Sequence, residues 1–101
     1  MSLRTFTASR AVLLTSTIGS QTTTVPGGNG KMVVYNAGAN PVLLAWAASV
    51  AIPAAGTWTD GLLVVSPGAT VSTDIPIGGG TLAYIAQTAG GSLWLNTGEG
   101  I

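Results

Sequence analysis

The residue types that carry most enzyme chemistry are scarce in this chain. It contains no histidine and no cysteine, which removes the commonest general bases, thiol nucleophiles and metal ligands. A serine–lysine pair would need Lys31, and a carboxylate pair could come only from Asp60, Asp74 and Glu99. We therefore expect no catalytic residues, no metal ligands and no cofactor. An enzyme acting through Asp60 and Asp74 is the alternative.

The composition is apolar and nearly free of charge. Charged residues make up 6% of the 101 residues and sum to zero, whereas about 25% is usual in a soluble domain. Three basic residues are too few to form the positively charged surface that binds nucleic acid. No apolar stretch is long enough to span a membrane. Because 47% of the residues are hydrophobic, so little charge protects a free monomer poorly against association. We expect the protein to function in contact with other chains.

The three tryptophans are the side chains best suited to recognition. Trp46 and Trp94 lie inside apolar runs, and we expect both in the core. Trp58 lies in a loop between Gly56 and Gly61, and loop aromatics are typical anchors of protein interfaces and of sugar sites. In so uncharged a chain we favour an intersubunit anchor over a carbohydrate site.

The stretch Lys31–Ala47 is the centre of the predicted fold. Two short apolar runs, Met32–Tyr35 and Val42–Ala47, flank a turn rich in Asn, Gly and Pro, which is the composition of a β-hairpin. Both runs are nearly continuous in apolar residues, so we expect both faces of the hairpin to be covered. One face would meet this chain's own second sheet, and the other would need a neighbouring subunit.

The rest of the chain repeats this pattern of short strands and tight turns. Ser66-Pro67-Gly68 is a strong turn signal. Ala69–Ile75 alternates, with Val71, Thr73 and Ile75 on one face. Eight or nine strands about ten residues apart, with no convincing helix, predict an all-β fold. We expect one antiparallel β-sandwich domain, for which a jelly roll is one candidate form and a small barrel the alternative. Residues 1–27 would supply an extended N-terminal arm and edge strands, and residues 28–101 the sandwich core.

A family resemblance covers roughly two-thirds of the chain, from about residue 33 to residue 100. It rests on the order of five segments: Val34-Tyr35-Asn36-Ala37-Gly38-Ala39-Asn40-Pro41-Val42, Ser66-Pro67-Gly68, Asp74-Ile75-Pro76-Ile77-Gly78-Gly79, Leu82-Ala83-Tyr84-Ile85-Ala86, and Leu93-Trp94-Leu95-Asn96-Thr97-Gly98-Glu99-Gly100. In these segments the chain resembles the small all-β virion proteins of tailed bacteriophages, which are usually encoded among the head genes.

The resemblance implies a structural role without catalysis. The chain would be a head decoration or cement protein, often a trimer, seated on the lattice of the major capsid protein. It would be made in the host cytoplasm and reside at the capsid surface of the virion. We expect Leu3, Phe6 and Trp58 to carry the interface, with Arg4 and Arg10 as partners for acidic shell residues. The alternative is a tail or fibre component, or a module that binds the host surface or carbohydrate.

Overall fold

The chain folds as two antiparallel β-sheets packed face to face, which confirms the predicted β-sandwich. The computed structural model describes residues 7–27 and 30–99, without the side chains of residues 7–9. Within these ranges the residues form strands and turns, and no helix. The eight strands are β1 (Thr7–Ser16), β2 (Gln21–Pro26), β3 (Lys31–Asn36), β4 (Val42–Trp46), β5 (Leu63–Val65), β6 (Thr70–Asp74), β7 (Gly79–Ala86) and β8 (Gly91–Glu99).

The strand order is that of one long hairpin folded across two sheets. Sheet A has the order β1-β8-β3-β6 and sheet B the order β2-β7-β4-β5. The antiparallel pairs β1 with β8, β2 with β7, β3 with β6 and β4 with β5 are therefore nested around the connection between β4 and β5. This winding leaves β1 and β6 at the edges of sheet A, and β2 and β5 at the edges of sheet B.

The core lies between the two sheets and is built from alternate residues of the strands. Met32 and Leu93 of sheet A and Leu44 and Leu82 of sheet B are its largest fully buried side chains. The alternation predicted for Ala69–Ile75 is confirmed. Val71 and Thr73 are half-buried and Ile75 is buried, whereas the polar residues between them are exposed. Each strand therefore has one face in the core and one face pointing away from it.

The predicted hairpin over Lys31–Ala47 is wrong, because its two strands lie in different sheets. β3 pairs with β6 and β8, whereas β4 pairs with β5 and β7. Buried Asn36 ends β3, and its Nδ2 donates to the carbonyl oxygens of Asn40 and Val65 at 2.8 and 2.9 Å. Its Oδ1 accepts from the Gly38 amide at 2.9 Å. These bonds satisfy the backbone where it crosses from one sheet to the other.

The turns lie where the Gly and Pro residues predict them. Ser66-Pro67-Gly68 separates β5 from β6, with Gly68 at a φ of +76°. Gly79 begins β7 at a φ of +90°, and a Cβ there would overlap the carbonyl oxygen of Val25. Glycine is required at this position by both the φ angle and the close approach of β2.

The N-terminal part of the chain supplies one edge strand to each sheet, β1 and β2. Residues 1–6 lie outside the described ranges, so an arm formed by them stays a prediction. None of the described residues belongs to a helix long and apolar enough to cross a membrane.

Candidate interaction surface

The centre of the outer face of sheet B, on β4 and β7, is covered by the protein's own chain. Leu43, Ala83 and Ile85 point away from the core but are buried, because Val50 and Leu62 pack over them. Both covering residues belong to segment 47–62, which connects β4 to β5. The expectation that a neighbouring subunit covers the outer side of Val42–Ala47 is therefore wrong. The backbone N–H of Val50 also donates to the Ser20 hydroxyl at 3.0 Å.

The outer face of sheet A carries an uncovered row of large side chains. Leu13 of β1, Trp94 of β8 and Tyr35 of β3 are direct cross-strand neighbours, and they are 50, 40 and 41% exposed. Thr70 of β6 continues the row to the other edge of the sheet. We call the outward-facing residues of sheet A the A face.

The expectation that Trp94 is a core residue is therefore wrong. Its neighbours Leu93 and Leu95 are buried between the sheets, so the residue between them must point outward. That alternation is visible in the sequence and is the signal that identifies Trp94. Trp46, by contrast, is half-buried and packs against the core, as expected.

The residues beside this row have smaller side chains, and two of the four are polar. The next row across the sheet contains Ala11, Asn96, Val33 and Ser72. At the end of the A face, Lys31 and Asp74 form an ion pair across β3 and β6. The two charges cancel, and the described part of the A face is therefore electrically neutral around its central apolar row.

Two apolar side chains in the loops are fully exposed to solvent. Trp58 is 99% exposed on segment 47–62, and it is not among the residues that pack over sheet B. Its assignment as an interface anchor stays a prediction, and its exposure leaves it free to contact a partner. Ile77, fully exposed at the turn between β6 and β7, was not predicted. Its position between Pro76 and Gly78 is the signal, because the centre of a tight turn faces solvent.

The remaining predicted interface residues lie at the N-terminus. Arg10 is exposed and lines a cleft of about 190 Å³ between β1 and β2. Thr97 lines the same cleft, and its buried Oγ1 has no hydrogen-bond partner in the described structure. Leu3, Arg4 and Phe6 lie outside the described residues, so their roles stay predictions.

Asp60 and Asp74 lie on different elements of the fold, the β4–β5 connection and the end of β6. Asp74 pairs with Lys31, while Asp60 lies exposed on segment 47–62. Within residues 7–27 and 30–99, no three His, Cys, Asp or Glu side chains are close enough together to hold a metal ion. The alternative based on Asp60 and Asp74 stays a prediction.

Comparison with known proteins found no match among protein-family models, curated proteins or solved structures. The A face, the exposed loop residues and the resemblance in the sequence are therefore the features from which a function can be inferred.

Proposed function

We propose that this protein is a structural component of a bacteriophage virion, a head decoration or cement protein that binds the major capsid protein at the capsid surface. The nested strand pairs support a jelly roll, since that fold is an eight-stranded double sheet built from two Greek keys. Jelly rolls recur in viral capsid and lectin domains, but a fold alone does not fix a function.

The difference between the two sheet faces carries the proposal. Segment 47–62 covers the centre of the outer face of sheet B, whereas the row Leu13–Trp94–Tyr35 on the A face is open to solvent. Aromatic residues are enriched at the centres of protein interfaces, and they supply most of the binding energy where a pocket receives them. We assign the A face to the contact with the capsid shell.

The exposed loop residues extend this assignment. Trp58 and Ile77 add two fully exposed apolar side chains outside the strands. Arg10 supplies a positive charge at the β1 edge for an acidic partner. Leu3, Arg4 and Phe6 would add contacts from the N-terminal arm.

The mechanism is mechanical, not chemical. Each apolar side chain covered on assembly contributes about 25 cal/mol per Å² of buried area, before the cost of ordering the partners. A modest contribution per copy becomes large when one particle carries many copies and each copy bridges neighbouring shell subunits.

A second candidate function is a tail or fibre component that binds carbohydrate on the host surface. The full exposure of Trp58 and the neighbouring rings of Tyr35 and Trp94 favour it, because aromatic rings stack on the apolar faces of sugars. Loss of glycan or cell binding in Trp58→Ala, with unchanged occupancy of the capsid, supports this candidate over the decoration protein.

The test of the proposal is the copy number of the protein in purified virions, measured by quantitative mass spectrometry. Hundreds of copies per particle support a component of the shell. A handful of copies places the protein in the tail and favours the second candidate. Purified virions without the protein contradict both.

A further inference from the structure

The four edge strands of the sandwich differ in how well they are protected against pairing with another chain. β5 has only three residues, and β2 ends in Pro26, which cannot donate a backbone hydrogen bond. β6 has five residues and ends at Asp74, in the ion pair with Lys31. Short strands, prolines and charges are the devices that natural sheets use to protect their edges.

β1 has few of these devices. It is ten residues long, and among the described strands it pairs only with β8. Its bulge lies between Ala8 and Arg10, so the register from residue 10 to residue 16 is regular. The segment from residue 10 to residue 16 contains no proline and no lysine. Two adjacent apolar residues within it, Val12 and Leu13, are 44 and 50% exposed. A long, regular and apolar edge is a template for a further strand.

We propose that β1 pairs antiparallel with β1 of a second copy of this chain, about a two-fold axis at Leu13. Symmetry then places Leu13 opposite Leu13, Val12 opposite Leu14 and Arg10 opposite Ser16. This register keeps each residue on its own side of the sheet and opposes apolar residues to apolar residues. Centring the axis on Val12 would instead set Arg10 against Leu14.

Charge also allows this register. The two Arg10 side chains fall at opposite ends of the paired segment, offset by six residues, or about 20 Å along the strands. That offset exceeds the screening length of about 8 Å at physiological ionic strength. A second copy of the chain is therefore a suitable partner, because the segment from residue 10 to residue 16 can pair with itself without opposing like charges.

The pairing joins two copies of sheet A into one continuous eight-stranded sheet. The apolar row becomes Tyr35–Trp94–Leu13 followed by Leu13–Trp94–Tyr35 of the second copy, which doubles the length of the row on the A face. Its use on a capsid rests on the proposed function, whereas the pairing itself is a property of the free protein. The pairing of β1 with β1 predicts an even number of chains per oligomer, whereas the resemblance implies a trimer.

A charge exchange at Leu13 tests the partner and the register together. The parent protein should have twice the 10.0 kDa chain mass by light scattering coupled to size exclusion. Leu13→Lys and Leu13→Glu should each lose the dimer, because like charges then face one another. An equimolar mixture of the two variants should recover it. Val64→Lys is the matched control, since Val64 is 53% exposed on the β5 edge of sheet B, and it should remain a dimer.

A cysteine at the same position tests the pairing if the charged variants fail to fold. The chain has no cysteine, so Leu13→Cys introduces a single thiol. Directly opposed residues of antiparallel strands have Cα atoms about 4.5 to 5.5 Å apart, within the range of a disulfide. Mild oxidation should link Leu13→Cys into a covalent dimer and leave Val64→Cys unlinked.

Several results overturn the pairing without touching the proposed function. These are a parent with one or three chains, a folded Leu13→Lys that is still dimeric, a mixture that does not recover the dimer, or equal cross-linking at positions 13 and 64. A dimer that behaves as described but is missing from virions overturns the proposed function and leaves the pairing intact.

Discussion

Replacing Trp94 with threonine tests the contact between the A face and the capsid shell. Threonine suits a strand but removes an indole that is 40% exposed. A tryptophan side chain has about 250 Å² of surface, so about 100 Å² of Trp94 is open to solvent. Covering that area contributes about 2.5 kcal/mol per copy, most of which threonine cannot supply. A loss of about 2 kcal/mol weakens binding about 30-fold.

The assay is binding of the purified protein to particles that lack it. Particles are sedimented with increasing protein, and the bound copies are counted against the free concentration. We expect Trp94→Thr to bind about 30-fold more weakly than the parent. Val64→Thr, on the edge of sheet B, should bind like the parent. Equal dissociation constants for Trp94→Thr and the parent refute the assignment of the A face.

A folding measurement separates lost binding from lost structure. Trp94→Thr removes cross-strand contacts with Leu13 and Tyr35, each of which contributes about 0.2 to 1 kcal/mol. For a domain of this size, a loss of 1 kcal/mol lowers Tm by about 4 to 8 °C. Binding measured well below that Tm therefore reports on the interface and not on unfolding.

Three further substitutions test the fold by denaturant unfolding. Asn36→Ala removes three hydrogen bonds of a buried amide and should cost about 3 kcal/mol of unfolding free energy, whereas a cost under about 1 kcal/mol contradicts its role at the sheet crossing. Gly79→Ala sets a methyl group against the carbonyl oxygen of Val25 at positive φ and should cost more than about 2 kcal/mol, so an unchanged stability contradicts the close approach. Thr97→Val replaces an unpartnered buried hydroxyl and should stabilise by about 1 kcal/mol, while destabilisation means that the hydroxyl has a partner.

Local signals in the sequence were enough to predict the class of fold. The turn at Ser66-Pro67-Gly68 and the alternation from Ala69 to Ile75 depend on neighbours a few residues apart, and both are present in the structure. Such signals locate strands and their buried faces because backbone conformation and side-chain direction are set locally.

Strand partners could not be predicted in the same way. The turn after Asn36 has the composition of a hairpin, but a turn that joins two sheets uses the same residue types. What distinguishes them is the hydrogen bond from Asn36 to Val65, 29 residues away along the chain. The packing of Val50 and Leu62 over sheet B could not be predicted either. Segment 47–62 has no periodic pattern that would show which of its residues contact the sheet.

The candidate surface was predicted only in part. Trp58 stands out in the sequence as an aromatic residue in a loop, and the structure leaves it exposed. The apolar surroundings of Trp94 predict a core residue, but alternation with Leu93 and Leu95 places it on the opposite face. The row with Leu13 and Tyr35 needs the order of β1, β8 and β3 in sheet A, which the sequence does not show.

Hydroxyl-radical footprinting of the protein, free and on the virion, shows whether the shell covers the A face. The peptide with Trp94 should be oxidised in the free protein and protected on the particle, because the shell then covers the A face. Trp46, half-buried against the core, should react equally in both states. Equal oxidation of Trp94 in the free and particle-bound protein contradicts the contact between the A face and the shell.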